Sequence, residues 1–108
     1  MARRREVVMR AGDAVDRKFR ILAVNPVNGK IYTEKNAVVF VAKDKALPAA
    51  LRAYKAECER IGADANHVTS VGLLIERVVE FQDYMGGGRV PDTVGAEIPR
   101  CINGEGVE

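Results

Sequence analysis

Val68, Val71, Ile75, Val78, Gln82 and Met85 recur at intervals of 3, 4, 3, 4 and 3, and Gly86-Gly87-Gly88 follows at once. That interval traces one face of an α-helix. The three glycines end such a helix, because glycine is a poor helix former and accepts the left-handed conformation of a C-terminal cap. Asp64 or Asn66 supplies a capping side chain at the start. Residues 64–85 are therefore expected to be helical. Leu74, Val79 and Phe81 broaden the apolar face beyond the main stripe, so this helix needs cover on more than one side. In a chain of 108 residues, enough for one ordinary domain, that demand constrains everything else.

A first helix precedes it. Leu47, Leu51, Tyr54, Cys58 and Ile61 lie at spacings of 4, 3, 4 and 3, while Arg52, Lys55, Glu59 and Arg60 occupy the other faces. Asp44 is expected to cap this helix, Pro48 fits only in its first turn, and Gly62 stops it. The short link to the second helix implies an antiparallel helix hairpin.

Before Asp44 the apolar period is two. Phe19–Val24 alternates, Asn25-Pro26-Val27-Asn28-Gly29 is dense in turn formers, and Lys30–Thr33 is the returning strand. Asn28-Gly29 predicts a type I′ hairpin turn, since both residues tolerate positive φ. Glu34-Lys35-Asn36 makes a second turn, and Ala37–Ala42 reads as a strand buried on both faces. Glu6–Arg10 is a candidate fourth strand. The expected fold class is α+β: a small antiparallel β-meander of three or four strands, packed with a C-terminal antiparallel helix hairpin and followed by an extended tail. Residues 1–88 are expected to form a single α+β domain. Residues 89–108, with Pro91, Pro99 and several glycines, read as an extended or partly disordered arm.

A composition of 47% hydrophobic and 30% charged residues fits a globular chain rather than a disordered one. The apolar face of the second helix exceeds what one short helix and a small sheet cover, so a homo-oligomer is expected. The longest apolar runs, Ala37–Ala42 and Val71–Ile75, fall far short of the roughly 20 residues of a membrane span. The basic start Met1-Ala2-Arg3-Arg4-Arg5 leads into Glu6 and not into the apolar core of a signal peptide. A cytoplasmic protein without a membrane partner is the expectation, with Cys58 and Cys101 as free thiols.

The chemistry is sparse. One histidine and two cysteines cannot supply the four ligands of a structural zinc site, and no cofactor motif is present. His67, with Asp64 three residues away, is the sole candidate imidazole base, but it reads as an exposed residue of a first helical turn. Cys58 lies in the apolar stripe, a place for an inert thiol. Thr69 and Ser70 are too close in sequence to His67 to form a nucleophile–base pair. Glu76, Glu80 and Asp83 read as a solvated helix face. Gly86-Gly87-Gly88-Arg89 follows a helix, whose C-terminal end presents carbonyls, whereas a phosphate loop leads into a helix start. These absences point to a protein that is not an enzyme.

Positive charge is concentrated at one end. The net charge of +2 averages +4 over residues 1–20 with −2 over the remainder. Arg3-Arg4-Arg5 and the basic residues up to Arg20 suit nucleic acid or a phosphate. Only Phe19 and Tyr32 stand near them as stacking groups.

Residues Asn36–Gln82, reading NAVVFVAKDKALPAALRAYKAECERIGA and further on LLIERVVEFQ, resemble small proteins carried by bacteria, phages and prophages. Some compact phage proteins of this size are non-enzymatic sponges, oligomers that sequester the nucleotide signals of bacterial immune systems. By that analogy the chain is a small oligomeric, anti-defence binding protein that holds a nucleotide-type anion at a subunit interface. An arginine fork would meet each phosphate and an aromatic or apolar wall each base. Arg10, Arg20, Tyr32, Phe40 and Arg89 are the candidate ligand-binding residues. Two alternatives stand beside this reading. One is a protein–protein adaptor or inhibitor using helix 64–85 or the tail. The other is a nucleic-acid-binding accessory protein using the basic first segment.

Overall fold

The computed structural model describes residues 19–97. The candidate strand Glu6–Arg10, the arginines before residue 19, Cys101 and the end of the arm lie outside the described residues. The described chain is α+β and falls into two compact units, residues 19–39 with 92–97 and residues 40–91.

The first unit is built on a hairpin. Strands β1 (Leu22–Val24) and β2 (Ile31–Thr33) pair antiparallel, with Leu22 opposite Thr33, Ala23 opposite Tyr32 and Val24 opposite Ile31. The turn sits where Asn28-Gly29 predicts it but is not type I′. Only Gly29 has positive φ, and its amide donates to the Asn25 carbonyl at 2.7 Å, closing a four-residue loop. Asn25 Oδ1 accepts the Val27 amide and Asn28 Oδ1 accepts the Lys30 amide, both at 2.9 Å. These side-chain bonds hold Asn28 at negative φ, so the loop is longer than the two-residue form. Beyond the ladder, the Ile21 amide donates to Oε1 of buried Glu34 at 3.0 Å.

The expected third strand is absent. Among the described residues the sheet has two strands, and 37–41 have no regular structure. Thr33 is where the ladder ends. Its amide donates to Asn36 Oδ1, and its carbonyl accepts the amides of Asn36 and Ala37. Val38, Phe40 and Val41 are exposed, contrary to a strand buried on both faces. A short apolar run cannot by itself distinguish a buried strand from an irregular segment lying along a helix pair.

The second unit is a helix hairpin. Helix α1 spans Leu47–Arg60 and α2 spans Ala65–Tyr84. They are antiparallel: Tyr54 meets His67, Lys55 lies against Gly72, and Leu47 and Leu51 share a groove with Leu74, Val78 and Phe81. Both helices end in the same way. Gly62 (φ 78°) donates to the Glu59 carbonyl while Ala63 donates to Cys58. Gly86 (φ 84°) donates to Asp83 while Gly87 donates to Gln82. This paired bonding is a Schellman cap, and it needs a left-handed residue at the first position past the helix. The start of α1 differs from expectation. Ala46 occupies the cap position, and Asp44 acts two residues earlier by accepting the Ala46 amide at 2.8 Å. Asp64 stands at the cap position of α2, without a side-chain capping bond.

The helix ends are joined to the chain on either side by Gln82. Its side chain is buried, and Nε2 donates to the carbonyls of Ala42 at 2.9 Å and Asp44 at 2.7 Å. Arg89 bridges the same segment: its amide donates to Lys43 and its carbonyl accepts from Lys45. Residues 42–45 and 86–89 are thereby fastened together at the C-terminal end of α2. Among the described residues no helix is long and apolar enough to cross a membrane.

Candidate functional site

The helical unit carries an open groove of about 520 Å³, within the range of about 300–1,000 Å³ usual for small-molecule sites. α1 contributes Leu47 and Leu51, α2 contributes Leu74, Arg77, Val78 and Phe81, and the preceding segment contributes Phe40 and Ala42. Leu47 and Val78 are buried and form its floor, while Phe40 and Phe81 are 56% and 44% exposed and stand at its edges. The positions on α2 follow from helical spacing: 74, 78 and 81 share a face, and 77 sits beside them. Ala42 is set by the bond from Gln82 to its carbonyl.

Among the described residues Arg77 is the only charged one lining the groove. It is exposed and makes no hydrogen bond or ion pair among the described residues. A free guanidinium beside an apolar, partly aromatic cleft can bind an anion that carries an apolar body. Among the described residues the groove lining holds no nucleophile and no general base.

The candidates read from the sequence are placed unequally. Phe40 lies in the groove. Arg89 does not line it, and its Nη1 donates to the Gly87 carbonyl at 2.8 Å. Arg20 and Tyr32 belong to the hairpin unit, Arg20 exposed and Tyr32 half-buried. Arg10 lies outside the described residues. Sequence reasoning passed over Arg77, Leu51, Leu74 and Phe81 as a set. The signal is present, since Arg77 stands three residues after Leu74 and four before Phe81, but the sequence reading seeks its anion-binding arginines in the first segment and at Arg89.

The other chemical candidates are occupied or isolated. His67 Nε2 lies 2.9 Å from Tyr54 Oη, with the rings edge-on at 79°, and among the described residues it has no bond to Asp64. The pKa of the Tyr54 phenol is raised above its ordinary value, first by the neighbouring Cys58 side chain. Cys58 is buried. Arg60 pairs with Glu57 one turn away and holds that carboxyl below its usual range. Both groups are exposed, so the pair steadies the last turn of α1 and little else. Among the described residues no three His, Cys, Asp or Glu side chains are grouped to hold a metal. Comparison with protein-family models, curated proteins and solved structures returns no match for this chain.

Proposed function

We propose that this chain is a non-enzymatic, self-associating binding protein whose groove takes a small anion with an aromatic or apolar body, a nucleotide-type ligand. The observation that carries the reading is the groove itself, with an apolar floor, Phe40 and Phe81 at its edges, and Arg77 free beside them. A base would lie against the aromatic edges, and a phosphate would take the guanidinium fork. The resemblance of residues 36–82 to phage and prophage proteins adds sequestration of a signal as the biological form, in the cytoplasm.

Calorimetric titration of the full chain against a panel of cyclic nucleotides tests this. At least one member is expected to bind with measurable heat, and Arg77→Ala is expected to weaken it about 10-fold or more. A hydrogen bond to a charged group contributes about 1.5–3 kcal/mol, and about 1.4 kcal/mol is a factor of ten. Silence across the panel, or binding indifferent to Arg77→Ala, rejects the ligand assignment.

A specific observation also supports the self-association half. Leu73 and Tyr84 on α2 are 60% and 89% exposed, apolar surface that a second copy would cover.

A further inference from the structure

Leu73, Arg77, Phe81 and Tyr84 follow one another at spacings of 4, 4 and 3, so they form one stripe along α2. All four are exposed. At about 1.5 Å per residue the stripe is roughly 16 Å long. Glu76, Glu80 and Asp83, also exposed, run along its flank. Among the described residues none of these three acids and not Arg77 takes part in an ion pair. The stripe thus presents apolar ends, one cation at its middle and carboxylates beside it.

We infer that this stripe docks against the same stripe of a second copy, antiparallel about a two-fold axis, with Arg77 of each subunit meeting Glu80 of the other. The register follows from charge. Setting residue 77 opposite residue 80 places residue 73 opposite residue 84, so both ends of the stripe are covered, Leu73 by Tyr84, in the same step. The two-fold repeats every contact. A register with 77 opposite 77 would bring two guanidinium groups together and leave Glu80 unmatched as well, whereas the 77–80 register leaves only Glu76 and Asp83 at the rim. The stripe and its flank carry both members of the Arg77–Glu80 pair, so a second copy supplies the partner for each of them twice over, which favours it over a foreign protein.

The inference deepens the self-association half of the reading above and rests on it, not on the ligand. Arg77 and Phe81 belong to both the stripe and the groove, so the contact sets the groove at the subunit seam. An anion in the groove and the partner subunit's Glu80 then compete for one guanidinium, and ligand binding and assembly oppose each other.

Sedimentation equilibrium of the full chain without ligand tests the contact. The wild-type chain is expected to show a monomer–dimer equilibrium. Arg77→Glu and Glu80→Arg are each expected to weaken it at least 10-fold, and the double variant R77E/E80R to return it to within about 3-fold of wild type. Circular dichroism confirms that each variant keeps its helices; should Arg77→Glu fail to fold, Glu80→Arg alone carries the comparison. A wild-type chain that stays monomeric, single variants that dimerise as well as wild type, or a double variant that is not rescued overturns the contact. A dimer that binds no nucleotide leaves the contact standing and removes the ligand assignment. A monomer that binds one does the reverse.

Discussion

Gln82→Leu is expected to lower the stability of the protein by about 2 kcal/mol. Leucine keeps most of the volume, so little cavity arises and the effect isolates the two hydrogen bonds. Both bonds from Nε2 go to backbone carbonyls 38 and 40 residues away, at Asp44 and Ala42. The Asp44 carbonyl retains the Leu47 amide at 3.0 Å, whereas among the described residues Gln82 is the partner of the Ala42 carbonyl. The Ala42 acceptor is only part-buried, so leaving it unmade costs about 1 kcal/mol, near the low end for an unsatisfied group, and the second lost bond adds about 1 kcal/mol. Urea unfolding followed by circular dichroism measures the change. Gln82→Glu extends the argument to pH. Its carboxylate would face two carbonyl oxygens, so the folded state favours the protonated form and its pKa lies above the unfolded value of about 4.3. Stability of that variant is therefore expected to fall as pH rises from the unfolded toward the folded pKa. A Gln82→Leu protein as stable as wild type would show that Ala42 and Asp44 are not held by this side chain.

Gly88→Ala is expected to cost a comparable amount, about 2–3 kcal/mol, through space and not through φ. A Cβ at Gly88 would lie 2.8 Å from Gln82 Oε1 and 2.9 Å from Lys45 Cα. The first neighbour is committed to a side chain bonded in two places, and the second is backbone, so neither yields cheaply. Overpacking of this kind costs about 1–3 kcal/mol. Here it also forces apart the two segments that Arg89 bridges through Lys43 and Lys45. Gly62→Ala is the informative contrast. At φ 78° with nothing within 4 Å of its Cβ, it should lose only the left-handed penalty of about 1–2 kcal/mol. Thermal unfolding of the two variants side by side checks the order, and equal midpoints for Gly88→Ala and wild type would contradict the close approach.

Both predictions concern residues whose role the sequence only half discloses. Gln82 occupies a stripe position, which signals burial. A buried amide must find partners, but nothing local says that they lie near residue 43. The helices were legible because their signals are local: the stripes predicted α1 and α2 nearly to their ends, and Gly62 and Gly86 stand where caps require them. The hairpin was legible for the same reason, through Asn28-Gly29. Ala37–Ala42 was misread because a short apolar run carries no period, and its fate depends on a side chain 40 residues later. Of the residues lining the groove, Phe40 is among those the sequence singles out, and the groove around it is not legible there. The groove is made by residues 40–81 of the chain meeting across two helices, and its cation, Arg77, looks in sequence like any solvated helical arginine.

On the proposed reading, the groove of residues 40–81 is where the protein takes its ligand. The most direct measurement is a nuclear magnetic resonance titration of the isotopically labelled full chain with 8-anilinonaphthalene-1-sulfonate, an aromatic anion. Saturable shift changes are expected, centred on Phe40, Leu51, Leu74, Arg77 and Phe81, with Leu22–Thr33 unmoved. Changes centred instead on Arg20 and Tyr32, or none that saturate, would contradict it.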